Sequence, residues 1–140
     1  MPDFNIVNAS SSAVPLTQLK IRYYFTGDST NPNITYRFLC SYTALPGGCS
    51  TRTTVVRGTV VKLTTPVNGA DAYLEISFSG GTLNANSQTG EILAYVNKTD
   101  WSDFNQSNDY SFQARSEAFT DWNKITLYRN GVLVWGTAPN

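Results

Sequence analysis

The ten residues Trp101-Ser-Asp-Phe-Asn-Gln-Ser-Asn-Asp-Tyr110 mix three aromatic rings with oxygen-bearing side chains and contain no Lys or Arg. They follow neither a helical nor a strand period, so they are predicted to form a loop. Carboxylate, amide and hydroxyl oxygens are the ligands that a hard cation such as Ca²⁺ prefers. A cation bound there would fix the loop and leave aromatic faces free to contact a ligand.

Catalytic chemistry has little support in the sequence. The chain contains no histidine, which excludes His-based triads and His-ligated zinc. A glycosidase would need only two carboxylates, but most of the ten acidic residues lie in turns or at strand ends, where solvated carboxylates are ordinary. Gly47-Gly48 and Gly80-Gly81 lack the Lys or helix of a phosphate-binding loop. The sequence therefore predicts a binding protein and not an enzyme.

The elements that must position these residues are predicted to be strands, because a period of two dominates the chain. Residues 4–8, 34–40 and 53–64 are further β-rich runs, and Asn130-Gly131 indicates a hairpin between residues 124 and 135. Short strands separated by frequent turn signals predict an all-β fold, an antiparallel β-sandwich or jelly roll. Alternation places the following side chains inward: Leu19, Ile21, Tyr23, Phe25, Leu74, Ile76, Phe78, Ile92, Ala94 and Val96.

Tyr95 falls on the outward face of its strand by the same alternation, with Leu93 and Asn97. Trp122 and Trp135 stand near aliphatic strands and are assigned to the core. The register of residues 53–64 stays open, because Val60-Val61 blurs the two faces.

Composition bounds the domain count and the class of partner. A length of 140 residues fits one domain, residues 1–140. The formal net charge is +0 and the sequence has no Lys/Arg cluster. It therefore predicts no positively charged surface that would bind nucleic acid or an anionic membrane. Charged residues make up only 14%, which suits a secreted, extracellular β module. With no signal peptide at Met1 and no apolar run of membrane length, we expect a domain cut from a larger precursor.

Cys40 and Cys49 bracket a segment in which Pro46-Gly47-Gly48 would let the chain reverse direction. A short disulfide there would stabilise the fold by roughly 2–3 kcal/mol on the chain-entropy account. Two unpaired thiols, with Cys40 as a small buried hydrophobic residue, are the alternative.

Four stretches resemble family 3 carbohydrate-binding modules, which accompany cellulases and cellulosomal scaffoldins. They begin at Leu19-Lys-Ile-Arg-Tyr-Tyr-Phe, Asp71-Ala-Tyr-Leu-Glu-Ile-Ser-Phe, Lys98-Thr-Asp-Trp-Ser-Asp-Phe and Tyr128-Arg-Asn-Gly-Val-Leu-Val-Trp. The resemblance spans residues 2–139 and implies a jelly roll with one structural calcium and a flat face that adsorbs to crystalline cellulose. The family's first strand has no counterpart before Pro2. A sheet edge exposed in this way would favour weak dimerisation.

The resemblance implies a set of calcium ligands in two segments of the chain. They are Thr26, Asp28, Asn105, Asn108 and Asp109, with Asn105 acting through its backbone. Two carboxylates together with carbonyl oxygens suffice for the six or seven bonds of Ca²⁺. Read without the resemblance, Asp28 or Asp109 alone would be an ordinary turn residue.

The resemblance also implies a binding strip. Trp101 matches the family's tryptophan and Tyr42 stands in place of its histidine. Ser41 and Tyr95 replace an aspartate and an arginine that pair with each other in the family, so no unpaired charge remains. The predicted ligand-binding residues are Ser41, Tyr42, Tyr95, Trp101 and Phe104.

A second surface resembles the family's shallow groove, for which a linker or peptide ligand is the implied partner. It comprises Arg22, Tyr24, Tyr73 and Glu75, all on outward strand faces. A solvated polar sheet face explains the same residues equally well.

These observations give one leading hypothesis and two others. The first is a non-catalytic module that adsorbs to cellulose as a covalent part of a larger cellulase or scaffoldin. The second keeps the fold but makes the domain an accessory or sensor module for another plant cell-wall polysaccharide. The third is a structural or protein-interaction module that uses the shallow groove.

Overall fold

The computed structural model describes residues 2–114 and 117–140, and within these ranges the chain is built from strands and two short 3-10 turns, Leu16–Gln18 and Gln106–Asn108. No helix in these ranges has the length and hydrophobicity needed to cross a membrane. The strands are β1 (Asp3–Phe4), β2 (Val7–Asn8), β3 (Val14–Pro15), β4 (Leu19–Phe25), β5 (Tyr36–Thr43), β6 (Val56–Val67), β7 (Ala70–Phe78), β8 (Thr82–Leu83), β9 (Ser87–Gln88), β10 (Ile92–Lys98), β11 (Ile125–Arg129) and β12 (Val132–Trp135).

Two antiparallel sheets form the body of the domain. One has the strand order β12-β11-β4-β7-β6 and the other the order β1-β10-β5. The short strands outside these sheets form two separate two-stranded pairs, β2–β9 and β3–β8. Apolar side chains from both sheets meet in a single core cluster. The prediction of an all-β antiparallel sandwich is confirmed.

The core follows the alternation of the central strands. In β7 every second residue is buried, and Leu74, Ile76 and Phe78 all belong to the core cluster. The inward assignments in β4 and β10 are confirmed as well, since Ile21 and Ala94 are almost fully buried. A strand with one face on a core and one in water must alternate in this way, which is why these faces could be read from sequence.

Two tryptophans were wrongly assigned to the core. Trp135 is 44% exposed because β12 is an edge strand with a partner on one side only, and all four of its residues are exposed. Trp122 is half-buried and lies outside the core cluster, with its indole Nε1 donating to the Ser111 carbonyl oxygen at 3.0 Å. The strand predicted over residues 4–8 is also divided, into β1 and β2.

The hairpin between β11 and β12 is confirmed. Asn130 and Gly131 are its two turn residues, with φ of 50° and 80°. Both values are in the left-handed region, which Gly and Asn adopt at least cost and which a two-residue turn of this twist requires. The hairpin completes one edge of the five-stranded sheet.

Candidate functional site

The oxygen-rich loop, residues 101–110, is held against the end of β4 by hydrogen bonds between the next residue, Ser111, and Tyr24. The Ser111 N–H donates to the Tyr24 carbonyl oxygen at 3.1 Å, and the Tyr24 N–H donates to the Ser111 Oγ at 2.8 Å. Two residues further along, the Thr26 N–H donates to the Asp109 Oδ1 at 2.8 Å. The fold therefore joins residues 26–28 to residues 105–109, which are far apart in sequence.

Several oxygens converge on the Thr26 hydroxyl. Its Oγ1 lies 2.6 Å from the Asn108 Oδ1, 3.0 Å from the Asp28 Oδ1 and 3.1 Å from the Asp109 Oδ1. A hydroxyl has one proton to donate, so it cannot satisfy three acceptors of which two are carboxylates. An excess of hard oxygen ligands around one point is the arrangement that a calcium ion fits.

Asn105 approaches the same cluster through its backbone. Its N–H donates to the Asp28 Oδ2 at 2.6 Å, while its side-chain Oδ1 accepts from the Ser107 N–H and caps the 3-10 turn. The Asn108 Nδ2 donates to the Asp28 Oδ1 at 2.8 Å. All five predicted metal-site residues thus lie together, and the side chain of Asn105 has a separate structural contact.

The two carboxylates of the cluster differ in their electrostatics. Burial raises the pKa of Asp109 to about 6, the charges of Asp28 and Asp71 add to this rise, and hydrogen bonds from Thr26 oppose it. Burial also acts against the ionised form of Asp28, but hydrogen bonds from Asn108, Asn105 and Thr26 outweigh it and lower the pKa. In residues 2–114 and 117–140 no three His, Cys, Asp or Glu side chains surround one point, so amide and hydroxyl oxygens must complete any metal site.

Asp71 is a supporting residue that sequence reasoning missed. Its Oδ1 accepts from the Gly27 N–H at 2.8 Å, which holds the backbone between Thr26 and Asp28. A Cβ at Gly27 would collide with the Tyr36 hydroxyl, so a larger residue there would have to displace the Tyr36 side chain. Asp71 is the second residue of β7, directly after the turn at residues 68–69, and no local signal distinguished it.

The other candidate surface is the outer face of the three-stranded sheet. Tyr42 on β5 and Tyr95 on β10 are 52% and 42% exposed, and Trp101, in the loop after β10, is 72% exposed. Tyr95 and Trp101 line one cleft of about 560 Å³. The outward prediction for Tyr95 is confirmed, and three aromatic rings present their surface to solvent near the same strand.

A β-bulge in β5 explains why Ser41 and Tyr42 are both exposed. Leu93 pairs with Tyr42 but Ala94 pairs with Cys40, so Ser41 is the extra residue between them. A bulge lets two consecutive side chains point to the same side, which regular alternation forbids. Both residues lie in the loop that the disulfide between Cys40 and Cys49 closes, with its Cα atoms 5.4 Å apart.

Phe104 is half-buried and packs against the core cluster, and it also lines the same cleft as Tyr95 and Trp101. Its ring lies 5.7 Å from Phe25, edge to face, and 6.3 Å from Tyr36, nearly parallel. Its part in ligand binding stays a prediction.

Leu39 is an exposed residue of the face that sequence reasoning missed. It pairs directly with Tyr95 across β5 and β10 and is 40% exposed. The β5 alternation carries a signal, since Arg37 and Leu39 share the exposed side. An apolar surface therefore runs from Tyr42 to Tyr95, with Arg37 on the same exposed side and Asp3 paired with Leu93 at its edge.

The predicted shallow groove is a closed polar network. The Arg22 Nε donates to the Glu75 Oε2 at 2.9 Å, and the Lys20 Nζ lies 3.3 Å from the Glu75 Oε1. The Arg22 guanidinium carbon is 4.5 Å from the Tyr73 ring centroid and 4.4 Å from that of Tyr128, so it lies over both rings. These side chains already contact one another on the outer face of the five-stranded sheet.

Tyr24 lies on the same side of the sheet but is buried, at 4% exposure, which corrects its assignment to an open surface. Its ring contacts Tyr73 at 5.6 Å and Tyr110 at 6.1 Å between centroids. Its hydroxyl is 3.1 Å from the Thr126 Oγ1. The segment that carries Tyr110 covers this part of the strand, a contact between distant residues that alternation cannot reveal.

Comparison with known proteins gives a consistent result. A family model described as a cellulose binding domain matches residues 1–136. Cellulosomal-scaffolding protein B from Acetivibrio thermocellus is 44% identical over 141 residues, covering 99% of this chain and 18% of the relative. The chain therefore spans less than a fifth of that protein.

Solved structures agree. The CBM3a-L domain, with flanking linkers, from scaffoldin cipA of the Clostridium thermocellum cellulosome matches with a TM-score of 0.86 and 42% identity, covering 99% of this chain and 80% of that chain. A biomass-sensing module from Clostridium thermocellum matches with a TM-score of 0.85 and 34% identity, covering 98% and 85%. The fold is the jelly-roll sandwich of these structures.

Proposed function

The chain belongs to the family of cellulose binding domains, a family of non-catalytic carbohydrate-binding modules, and from this premise we propose that it adsorbs to crystalline cellulose. The contact surface would be the outer face of the three-stranded sheet, with Tyr42, Tyr95 and Trp101 as its aromatic residues and Ser41 beside them. The domain would act as a covalent part of a secreted cellulase or scaffoldin, since its relatives include cellulosomal scaffolding proteins and an exoglucanase.

The observation that carries this proposal is the exposure of three aromatic rings on and beside the outer face of the three-stranded sheet. Exposed tyrosine and tryptophan rings bury the apolar C–H faces of sugar rings, while their hydroxyl or indole groups stay at the wet edge. A flat array of such rings suits a flat, uncharged polymer better than a charged ligand. Ser41 and Tyr95 add no charge to this surface.

We further propose that calcium binds between Thr26, Asp28, Asn108 and Asp109, with Asn105 contributing through its backbone. The oxygen ligands fit the ion, because three acceptors surround one hydroxyl. Calcium would supply positive charge between the two carboxylates and fasten residues 105–109 to the end of β4. Its role would be structural, since it would join two segments that are far apart in sequence.

The adsorption proposal is tested by pull-down on microcrystalline cellulose. Trp101→Ala should lower the bound fraction strongly, because it removes the most exposed ring of the face. Trp135→Ala is the matched control, since Trp135 is also exposed but lies on β12 of the other sheet. Equal binding by Trp101→Ala and the unmodified protein would show that the face is misassigned.

The calcium proposal is tested by thermal unfolding. EDTA should lower Tm and added Ca²⁺ should restore it, because an ion that binds only the folded state stabilises that state by mass action. Asp28→Asn should remove most of this response. A Tm that is insensitive to EDTA and to Ca²⁺ would contradict the proposal.

A second candidate function is an accessory or sensor module for another plant polysaccharide. The similarity to a biomass-sensing module favours it, as does the replacement of the family's charged pair by Ser41 and Tyr95. Pull-downs on cellulose, xylan and xyloglucan separate the two candidates. Failure to bind any of the three would favour a structural or protein-interaction role instead.

A further inference from the structure

Lys98, the last residue of β10, has an unusual position for a lysine. It is only 1% exposed, although an ammonium group is costly to bury without partners. Its Nζ donates to the Asp103 carbonyl oxygen at 2.7 Å and to the Asp28 carbonyl oxygen at 3.4 Å, and lies 4.6 Å from the Phe104 ring centroid. Within residues 2–114 and 117–140 its ammonium forms no ion pair with a carboxylate.

The backbone of the same residue holds Trp101. The Trp101 N–H donates to the Lys98 carbonyl oxygen at 3.0 Å. Lys98 therefore makes two hydrogen bonds within residues 98–103. Its carbonyl oxygen accepts from the Trp101 N–H, and its ammonium donates to the Asp103 carbonyl oxygen. Between these two points the Asp100 Oδ1 accepts from the Ser102 N–H at 3.0 Å and from the Ser102 Oγ at 2.7 Å.

Trp101 needs this support because its backbone is strained. Its φ is 62°, in the left-handed region, which costs an L-residue other than glycine roughly 1–2 kcal/mol. Its ring is 72% exposed, so packing of the side chain contributes little to its orientation. Strained backbone at an exposed functional residue persists only where surrounding contacts determine it.

We propose that Lys98 is a positioning residue for ligand binding: its buried ammonium, through Asp103, holds the backbone of residues 98–103 so that the Trp101 ring is presented in its binding orientation. This inference rests on the proposed adsorption through Trp101. Without the contact, Trp101 must be ordered at the moment of binding, and that cost appears as lost affinity.

The test is a double-mutant cycle on microcrystalline cellulose in excess Ca²⁺, below the Tm of every variant. Lys98→Met keeps a similar length and the contact with Phe104 but removes the donor. It should lower the partition coefficient by about five- to tenfold, the loss that follows from ordering one side chain on binding. In the Trp101→Ala background the same change should cause no further loss, because Lys98 acts through Trp101.

Lys62→Met is the matched control, because Lys62 also donates to a backbone carbonyl, that of Pro32 at 3.4 Å, but on another strand. It should leave adsorption unchanged. Normal adsorption by Lys98→Met would overturn the proposal. Losses from Lys98→Met and Trp101→Ala that multiply independently would overturn it as well.

Indole ¹H–¹⁵N NMR signals give a readout that needs no cellulose. Lys98→Met should shift or broaden the Trp101 signal and leave those of Trp122 and Trp135 in place, whereas equal changes in all three would mean a general loss of structure and would overturn the proposal. If Trp101→Ala adsorbs normally, the proposed function fails, but the Trp101 signal still reports whether Lys98 positions this residue.

Discussion

The outer faces of the two sheets carry similar residue types but differ in how their side chains are partnered. On the five-stranded sheet, Arg22 lies over the Tyr73 ring and donates to Glu75, so charges and rings satisfy one another. On the three-stranded sheet, Tyr42 and Tyr95 are exposed beside apolar neighbours, and no ion pair formed among residues 2–114 and 117–140 covers them. Surface aromatics alone therefore do not identify a binding face, and the free ring surface is the better indicator.

The difference also separates stability from binding. A network whose members contact one another loses stability when one member is removed, because the remaining charge stays partly buried. Removing an exposed ring that makes few contacts within the protein should mainly weaken ligand binding. Variants on the five-stranded sheet should therefore lower mainly stability, and variants on the three-stranded sheet should lower mainly adsorption.

Glu75→Ala should lower the free energy of unfolding by about 2 kcal/mol, because it removes the acceptor of the charged hydrogen bond from Arg22 and the partner of the Lys20 ion pair. Adsorption to cellulose should stay unchanged at temperatures where the variant is folded. Urea unfolding and a binding isotherm measure the two quantities. A large loss of adsorption by folded Glu75→Ala would place the binding surface on the five-stranded sheet.

Tyr95→Ala should lower the partition coefficient on cellulose by about tenfold, which corresponds to about 1.4 kcal/mol for one ring stacked on a sugar. Its effect on Tm should be small, since the ring is 42% exposed. Tyr73→Ala, on the other sheet, is the matched control and should show the reverse: a lower Tm with normal adsorption. The comparison of the two faces fails if both variants behave alike.

Asp3 gives a pH-dependent test at the edge of the three-stranded sheet, where it pairs with Leu93. Burial, together with repulsion from Glu91, raises its pKa from 3.8 to about 6. Folding therefore favours the protonated form, so this stabilising contribution is complete below about pH 4 and is lost as pH rises through about 6. Asp3→Asn should raise Tm relative to the unmodified protein at pH 8 and not at pH 4. An equal difference at both values would contradict the assignment.

Salt should have almost no effect on adsorption. The proposed face meets a neutral polymer, so there is no charge attraction for ions to screen. The partition coefficient should change by less than about twofold between about 0.05 and 0.5 M NaCl. A steep decrease with salt would mean that exposed charges such as Arg37 dominate binding and that the rings are secondary.

Much of the fold followed from local pattern. The alternation in β4, β7 and β10 placed Ile21, Leu74 and Ala94 in the core and Tyr95 outside it. The Asn130-Gly131 pair placed the last hairpin, because its left-handed turn depends on those two residues alone. The errors occurred where a distant segment decides burial. Tyr24 is covered by Tyr110, and Trp135 lies on a strand with one neighbour.

Local patterns in the sequence indicated the oxygen-bearing side chains of residues 105–109, the exposed ring of Tyr95 and the turn at Asn130-Gly131, whereas Trp101 was assigned through the family resemblance. Local backbone geometry carries that information over a few residues. Tertiary structure decided which of them meet. The Thr26 hydroxyl reaches Asn108 across 82 residues of sequence, and the bulge in β5 turns Ser41 and Tyr42 to the same side. Neither follows from a period of two, because both depend on how separate strands pair and stack.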